Sequence, residues 1–296
     1  MLRAMDAAVS GLRAHQQKLD VIGNNIANVN TVGFKSQSYT FKDTMYQSST
    51  ASTNGTESAG GVNAAQYGYG ALMGTISMDM TASTATYVGG FSASIDGEGF
   101  FATHTSKNAT ADVTGIAGND TANLKSASYS YTRVGQFKVD SNGFIVDAQG
   151  HFIYGFRGSD AVTNGGKMEA LRVPSSLTIG ADGAASVDGG KDVVDAATTK
   201  ALEAKNVKIN KAGNIEATVV NNDGKEYTVT IGTVAVVTFQ NQEGLTKDGG
   251  NYYTASQNDN TGECSAAGPG SNRATLMPGY LEASNVDMAV EFSEMI

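Results

Sequence analysis

MLRAMDAAVSGLRAHQQKLDVIGNNIANVNTVGFK, residues 1–35, carries an apolar step of seven residues. Met5, Leu12, Leu19 and Ile26 recur at that spacing, and Ala8, His15, Ile22 and Val29 follow three positions behind, so one stripe runs along a helix. Leu2 joins it just ahead of Met5. Asn24, Asn25, Asn28 and Asn30, followed by Gly33, mark the stop. Gly11 and Gly23 each cost about 1 kcal/mol against Ala inside a helix, which suits a neighbouring backbone in close approach. Such a stripe is buried either on the chain's own domain or against another helix, from the far end of this chain or from another copy.

The far end offers one. After Pro278-Gly279, Ser284 and Asn285 are candidate N-caps, Asp287 falls in the first turn, where a carboxylate suits the helix dipole, and Val286, Ala289, Phe292 and Ile296 form an apolar face. The terminal helices are therefore expected to form one coiled-coil-like domain, residues 1–35 plus 281–296. With no other apolar partner in the monomer, they are expected to gain order on assembly.

The middle is read as a mainly antiparallel β domain, residues 72–156 plus 206–280, which makes the fold α+β. Asp96-Gly97 suggests a hairpin between Ser92–Ile95 and Gly99–Thr103. Phe137–Val139, Phe144–Val146 and Phe152–Tyr154, separated by turns ending in Gly143 and Gly150, predict a meander. Val207–Ile209, Ile215–Val220 and Tyr227–Ile231 repeat the pattern, and Val234–Phe239 reads as a central buried strand. Residues 157–205, rich in Gly, Ala and Asp, are expected as a small insert with a short helix at 196–204. Residues 36–71, rich in Ser, Thr, Asn, Gly and Gln, read as a flexible linker or as a segment that orders only against neighbouring subunits.

A net charge of −9 and a pI near 4.8 argue against nucleic acid, which needs clustered Lys and Arg. No apolar run is long enough to span a membrane, so no membrane insertion is expected. Cys264 is the only cysteine, which excludes an intrachain disulfide. His15, His104 and His151 lack partners at metal-ligand spacing, and no nucleophile elbow is present. Asp140, Asn142 and Gly143 resemble the start of a calcium loop but lack its closing Glu, and a turn explains them. Asp96 and Glu98 read as a solvated turn. No catalytic residue, metal ligand or cofactor is expected.

Both ends and two central motifs resemble the flagellar rod and hook family of bacterial axial proteins. The resemblance rests on Asn24-Asn25-Ile26-Ala27-Asn28, Gly33-Phe34-Lys35, Ile95-Asp96-Gly97-Glu98-Gly99-Phe100-Phe101, Tyr131-Thr132-Arg133-Val134-Gly135-Gln136-Phe137 and Ser284-Asn285-Val286-Asp287. It implies a structural subunit of the hook, a curved tube that transmits torque from rod to filament. The alternative within the family is the distal rod. Residues 60–70 look more like the hook branch, and the small insert more like the rod. A secreted β-rich binding or adhesive protein is the alternative from another class. The implied partners are further copies in a helical homopolymer, rod, hook-cap and hook–filament junction proteins, and the flagellar export apparatus. The implied location is the extracellular flagellum, reached without a cleaved signal peptide. The family continues its C-terminal helix beyond the position of Ile296, so this sequence is expected to be a piece of a longer one.

Overall fold

The computed structural model describes residues 2–55, 60–107, 124–125, 128–157, 168–173, 204–220, 226–269 and 274–296. The chain divides into two units, one formed by Met1–Asn30, Lys35–Asp79 and Val286–Ile296, the other by Thr31–Phe34 and Met80–Asn285.

The first unit holds α1 (Leu2–Ala27), β1 (Gln37–Asp43), β2 (Tyr46–Thr50), β3 (Ala65–Gly68), β4 (Ala71–Met78) and, from the other end of the chain, α2 (Met288–Met295). The Asn cluster ends α1 as expected: Asn28 Nδ2 donates to Asn24 O at 2.9 Å. The segment expected as a linker, residues 36–71, instead forms strands. β1 pairs with β4 and β2 with β3, both antiparallel. A polar composition limits side-chain burial, whereas a ladder satisfies backbone groups without burying much apolar surface. Thr, Tyr and Phe suit it, and hydroxyls meet across it, Ser38 with Ser77 at 2.8 Å and Thr40 with Thr75 at 2.9 Å.

The second unit is a set of antiparallel sheets. Its strands are β5 (Ala85–Tyr87), β6 (Ala93–Asp96), β7 (Phe100–His104), β8 (Ser130–Thr132), β9 (Phe137–Val139), β10 (Ile145–Asp147), β11 (Phe152–Arg157), β12 (Met168–Ala170), β13 (Ala204–Ile209), β14 (Asn214–Val220), β15 (Glu226–Val234), β16 (Val236–Phe239), β17 (Thr246–Gly249), β18 (Tyr252–Thr254), β19 (Cys264–Ala267), β20 (Thr275–Pro278) and β21 (Tyr280–Glu282). The order β13-β14-β15-β11-β7-β8-β18-β17 forms the main sheet, with β16 joining β7 to β19. The α+β class is thus observed.

The β9-β10-β11 meander forms, with Gly143 and Gly150 at positive φ in its turns. The β13-β14-β15 series forms too, and β16 is buried at the centre. The expected hairpin at Asp96-Gly97 does not. β6 pairs with β20, and β7 with β8, β11 and β16. Gly97 and Gly99 both lie at positive φ and carry the chain out of one sheet into another. In the expected insert, β12 pairs with β11, Ala204 opens β13, and residues 196–203 lie outside the described residues.

Neighbouring residues on a strand face opposite ways, and both Phe100 and Phe101 are buried, so β7 is covered on both faces. Phe101 packs with Phe137, Ile153 and Val236, whereas Phe100 lies against Phe239 and Tyr253. Gly135 is required by packing: a Cβ there would lie 1.6 Å from Ala93 O.

Candidate assembly surface

On α1 the residues buried in this chain are Ala14, Ile22 and Asn25, 2%, 3% and 1% exposed. Of the expected seam, Ile22 is therefore buried, whereas Met5, Leu12 and Leu19 are 64%, 71% and 46% exposed. Ile26 and Val29 are half-buried, Ala8 and His15 are exposed, and the side chain of Leu2 is outside the described residues. The inner face of α1 rests on the β1–β4 hairpin, a partner within the unit that the sequence reading lacked. The His15 ring lies tilted against that of Phe41, centroids 4.9 Å apart, Tyr39 Oη donates to Gln17 Oε1 at 3.2 Å, and Arg3 Nη1 donates to Tyr67 Oη at 2.6 Å. A side chain at Gly11 or Gly23 would meet open space. The close approach to the helix is made by Gly70, at φ +114°, where a Cβ would lie 3.0 Å from Ala7 O. On the hairpin, Phe41, Met45, Tyr46, Leu72 and Ile76 stay exposed.

The N-cap of α2 is Asp287, two residues beyond Asn285 and three beyond Ser284, and its carboxylate accepts from Ala289 N at 2.8 Å and Val290 N at 3.4 Å. Ser284 and Asn285 are engaged elsewhere. Ser83 Oγ donates to Ser284 O, and Asn285 N donates to Phe34 O at 3.4 Å. Val286 is half-buried, while Ala289, Phe292 and Ile296 are exposed. Met5, Leu12, Leu19, Phe292 and Ile296 of the expected coiled-coil seam stay exposed, yet the terminal helices do lie together. They meet through polar groups: Asn25 Nδ2 donates to Glu291 Oε1 at 2.7 Å, and Lys18 Nζ lies 3.0 Å from Glu294 Oε2. Asn24 belongs to the turn that ends α1.

In the second unit the other family-motif residues converge. Gly33, at φ +69°, donates its N–H to Glu282 O at 2.9 Å and packs on Arg133 and Val134. Phe34 is buried under Lys247, whose ammonium sits 4.3 Å from the ring centroid and whose pKa burial lowers. Arg133 donates to Gly97 O at 2.8 Å and lies 3.4 Å from Glu282 Oε2. Burial lowers the Arg133 pKa, and Glu282 opposes that shift. Sequence reasoning placed Arg133 in a motif and gave it no role.

Among the described residues, no group of three His, Cys, Asp or Glu is gathered as for a metal, and no helix is long and apolar enough to cross a membrane. Cys264 is buried in β19, and burial pushes its thiol up to about 11, away from reactivity. What the site offers is surface: an exposed apolar stripe on α1, an exposed α2 and exposed apolar residues on the β arm that β1 to β4 form.

The family model described as "Flagella basal body rod protein" matches residues 5–35, and that described as "Flagellar hook protein FlgE/F/G D1 domain" matches residues 121–217. The flagellar basal-body rod protein FlgG of Bacillus subtilis (strain 168) is 33% identical over 297 residues, covering 100% of this chain and 89% of that relative. FlgG of Caulobacter vibrioides is 25% identical with the same coverage. The flagellar hook protein FlgE of Borreliella burgdorferi is 33% identical over 183 residues, 59% of this chain and 36% of that relative.

Proposed function

Because the chain belongs to the flagellar rod and hook family of axial proteins and is a structural subunit of the flagellum, we propose that it polymerises through its terminal helices and β arm. The observation that carries this is the outward α1 stripe, Met5, Leu12 and Leu19, exposed although its spacing is that of a helix-packing seam. A surface that meets a different surface on the next copy does not close on itself and generates a helical polymer. Within the family, the end-to-end match to rod proteins supports a place in the rod. The hook reading retains the partial hook match and the resemblance of residues 60–70 to the hook branch. Export through the flagellar apparatus without cleavage, contacts with rod, hook-cap and junction proteins, and the absence of catalysis are further parts of the proposal, supported by the family alone.

Leu12→Asp tests it. Leu12 is exposed in this chain, so the variant is expected to keep its stability to within about 0.5 kcal/mol. It is expected to form no fibres in electron micrographs under conditions where the parent chain does. Fibres from Leu12→Asp equal to the parent's would overturn the proposal. Immunogold labelling of purified basal bodies distinguishes rod, at the straight envelope segment, from hook, at the curved outer one.

A further inference from the structure

We infer that Asn25 is a positioning residue for assembly, its carboxamide fixing α2 against α1 and so setting how their exposed apolar residues are presented to the next copy. This rests on the proposed function above.

Asn25 is a polar side chain only 1% exposed. Its Oδ1 accepts from Gln37 N at 3.0 Å, and its Nδ2 donates to Gln37 O at 2.8 Å. The side chain thus pairs with a peptide group as an adjacent strand would. That pairing orients the carboxamide and leaves its second N–H aimed at α2, where Glu291 Oε1 accepts at 2.7 Å. One residue therefore joins three segments: the last turn of α1, the first residue of β1 and α2.

α2 depends on such a contact. It has eight residues and none of them is buried, and a free helix of that length is marginal in water. The Lys18–Glu294 pair is substantially exposed, with side-chain exposures of 24% and 49%, and contributes little. Burial raises the Glu291 pKa and the Asn25 bond opposes that shift, as expected where a carboxylate is drawn out of water and its neighbour compensates. Met288, Val290, Phe292 and Met295 remain exposed around this polar contact. Polar bonding therefore sets the register, leaving the apolar groups for a partner.

The test compares full-length N25D, E291Q and N25D/E291Q with the parent chain by amide exchange of residues 286–296 and by sedimented fibre mass. N25D sets two carboxylates against each other. It is expected to speed exchange of 286–296 about tenfold, the equivalent of one lost hydrogen bond to a charged group, and to reduce fibre mass. E291Q keeps an acceptor and is expected to stay near the parent. In N25D/E291Q the Gln amide donates to the new carboxylate and relieves its repulsion from α2, while the bond to Gln37 O stays lost, so both readouts are expected to recover in part, which a merely structural role for Asn25 would not produce. Exchange of residues 236–239 is expected to be the same in all four and reports the second unit's folding. Unchanged exchange of 286–296 in N25D, or a double variant no better than N25D, would overturn the inference. If no chain forms fibres while exchange follows the expected order, it is the axial function that fails and the Asn25 contact with α2 that stands.

Discussion

Arg133 carries a full charge at 1% exposure, and Glu282, equally buried, faces it. Removing one member leaves the other uncompensated in a core, so Glu282→Gln is expected to destabilise the protein by about 3–5 kcal/mol, read as a lower urea midpoint. Asp259 provides a pH-dependent test. Burial raises its carboxyl, but bonds from Thr261, Ser256 N–H and Lys125 outweigh that and hold it at about 2. Its folded pKa lies below the unfolded value near 3.9, so the stability it contributes is present above about pH 4 and lost as pH falls toward 2. Thermal melts across that window are expected to show less acid sensitivity in Asp259→Asn than in the parent chain, together with lower stability at pH 7. At this scale the sequence was only partly legible. Asp287 could be read as a helix-start carboxylate, but that it is the cap itself, while Asn285 N donates to Phe34 O, is seen only in the structure. The Arg133–Glu282 pairing joins residues remote in sequence, and local spacing carries no trace of it.

Among the elements, α1, the β9–β11 meander and β16 were readable because periodicity and turn glycines are local signals. The β arm was not, since its stability lies in backbone pairing between segments with a polar stretch between them, and Ser/Thr composition hid it. Nor could periodicity say which face of α1 is covered: the seven-residue step through Met5, Leu12 and Leu19 marks an exposed stripe, while Ala14, Ile22 and Asn25 are the residues buried. The Gly70 contact tests that docking. Gly70→Ala places a Cβ at φ +114° and within 3.0 Å of Ala7 O, and is expected to destabilise the first unit by about 1–3 kcal/mol. Faster amide exchange in residues 37–43 and 71–78, with residues 236–239 unchanged, is the expected signature.

Across the whole molecule, each unit draws on distant parts of the chain. Phe34 follows the N-terminal helix in sequence yet is buried among residues of the second unit. Phe34→Ala is therefore expected to cost that unit about 3–5 kcal/mol, visible as a lower melting temperature in a signal specific to its tyrosines. Nesting was legible in outline, because helical patterns stood at both ends and strand patterns between them. The exact division was not, as it depends on residues 31–34 belonging with the strands rather than with the helix they follow.

The pairing of β21 with β5 sets Tyr280 on Tyr87, and that of β20 with β6 sets Leu276 on Ile95. Contacts of such sequence separation carry a large loop-closure cost before they repay it, and chains dominated by them fold slowly. The sheets of the second unit are incomplete until residues 275–282 have left the ribosome. A slow folder stays open for longer after synthesis, and that delay favours a chain that, on the proposed route, must pass through an export channel before it takes up its final form.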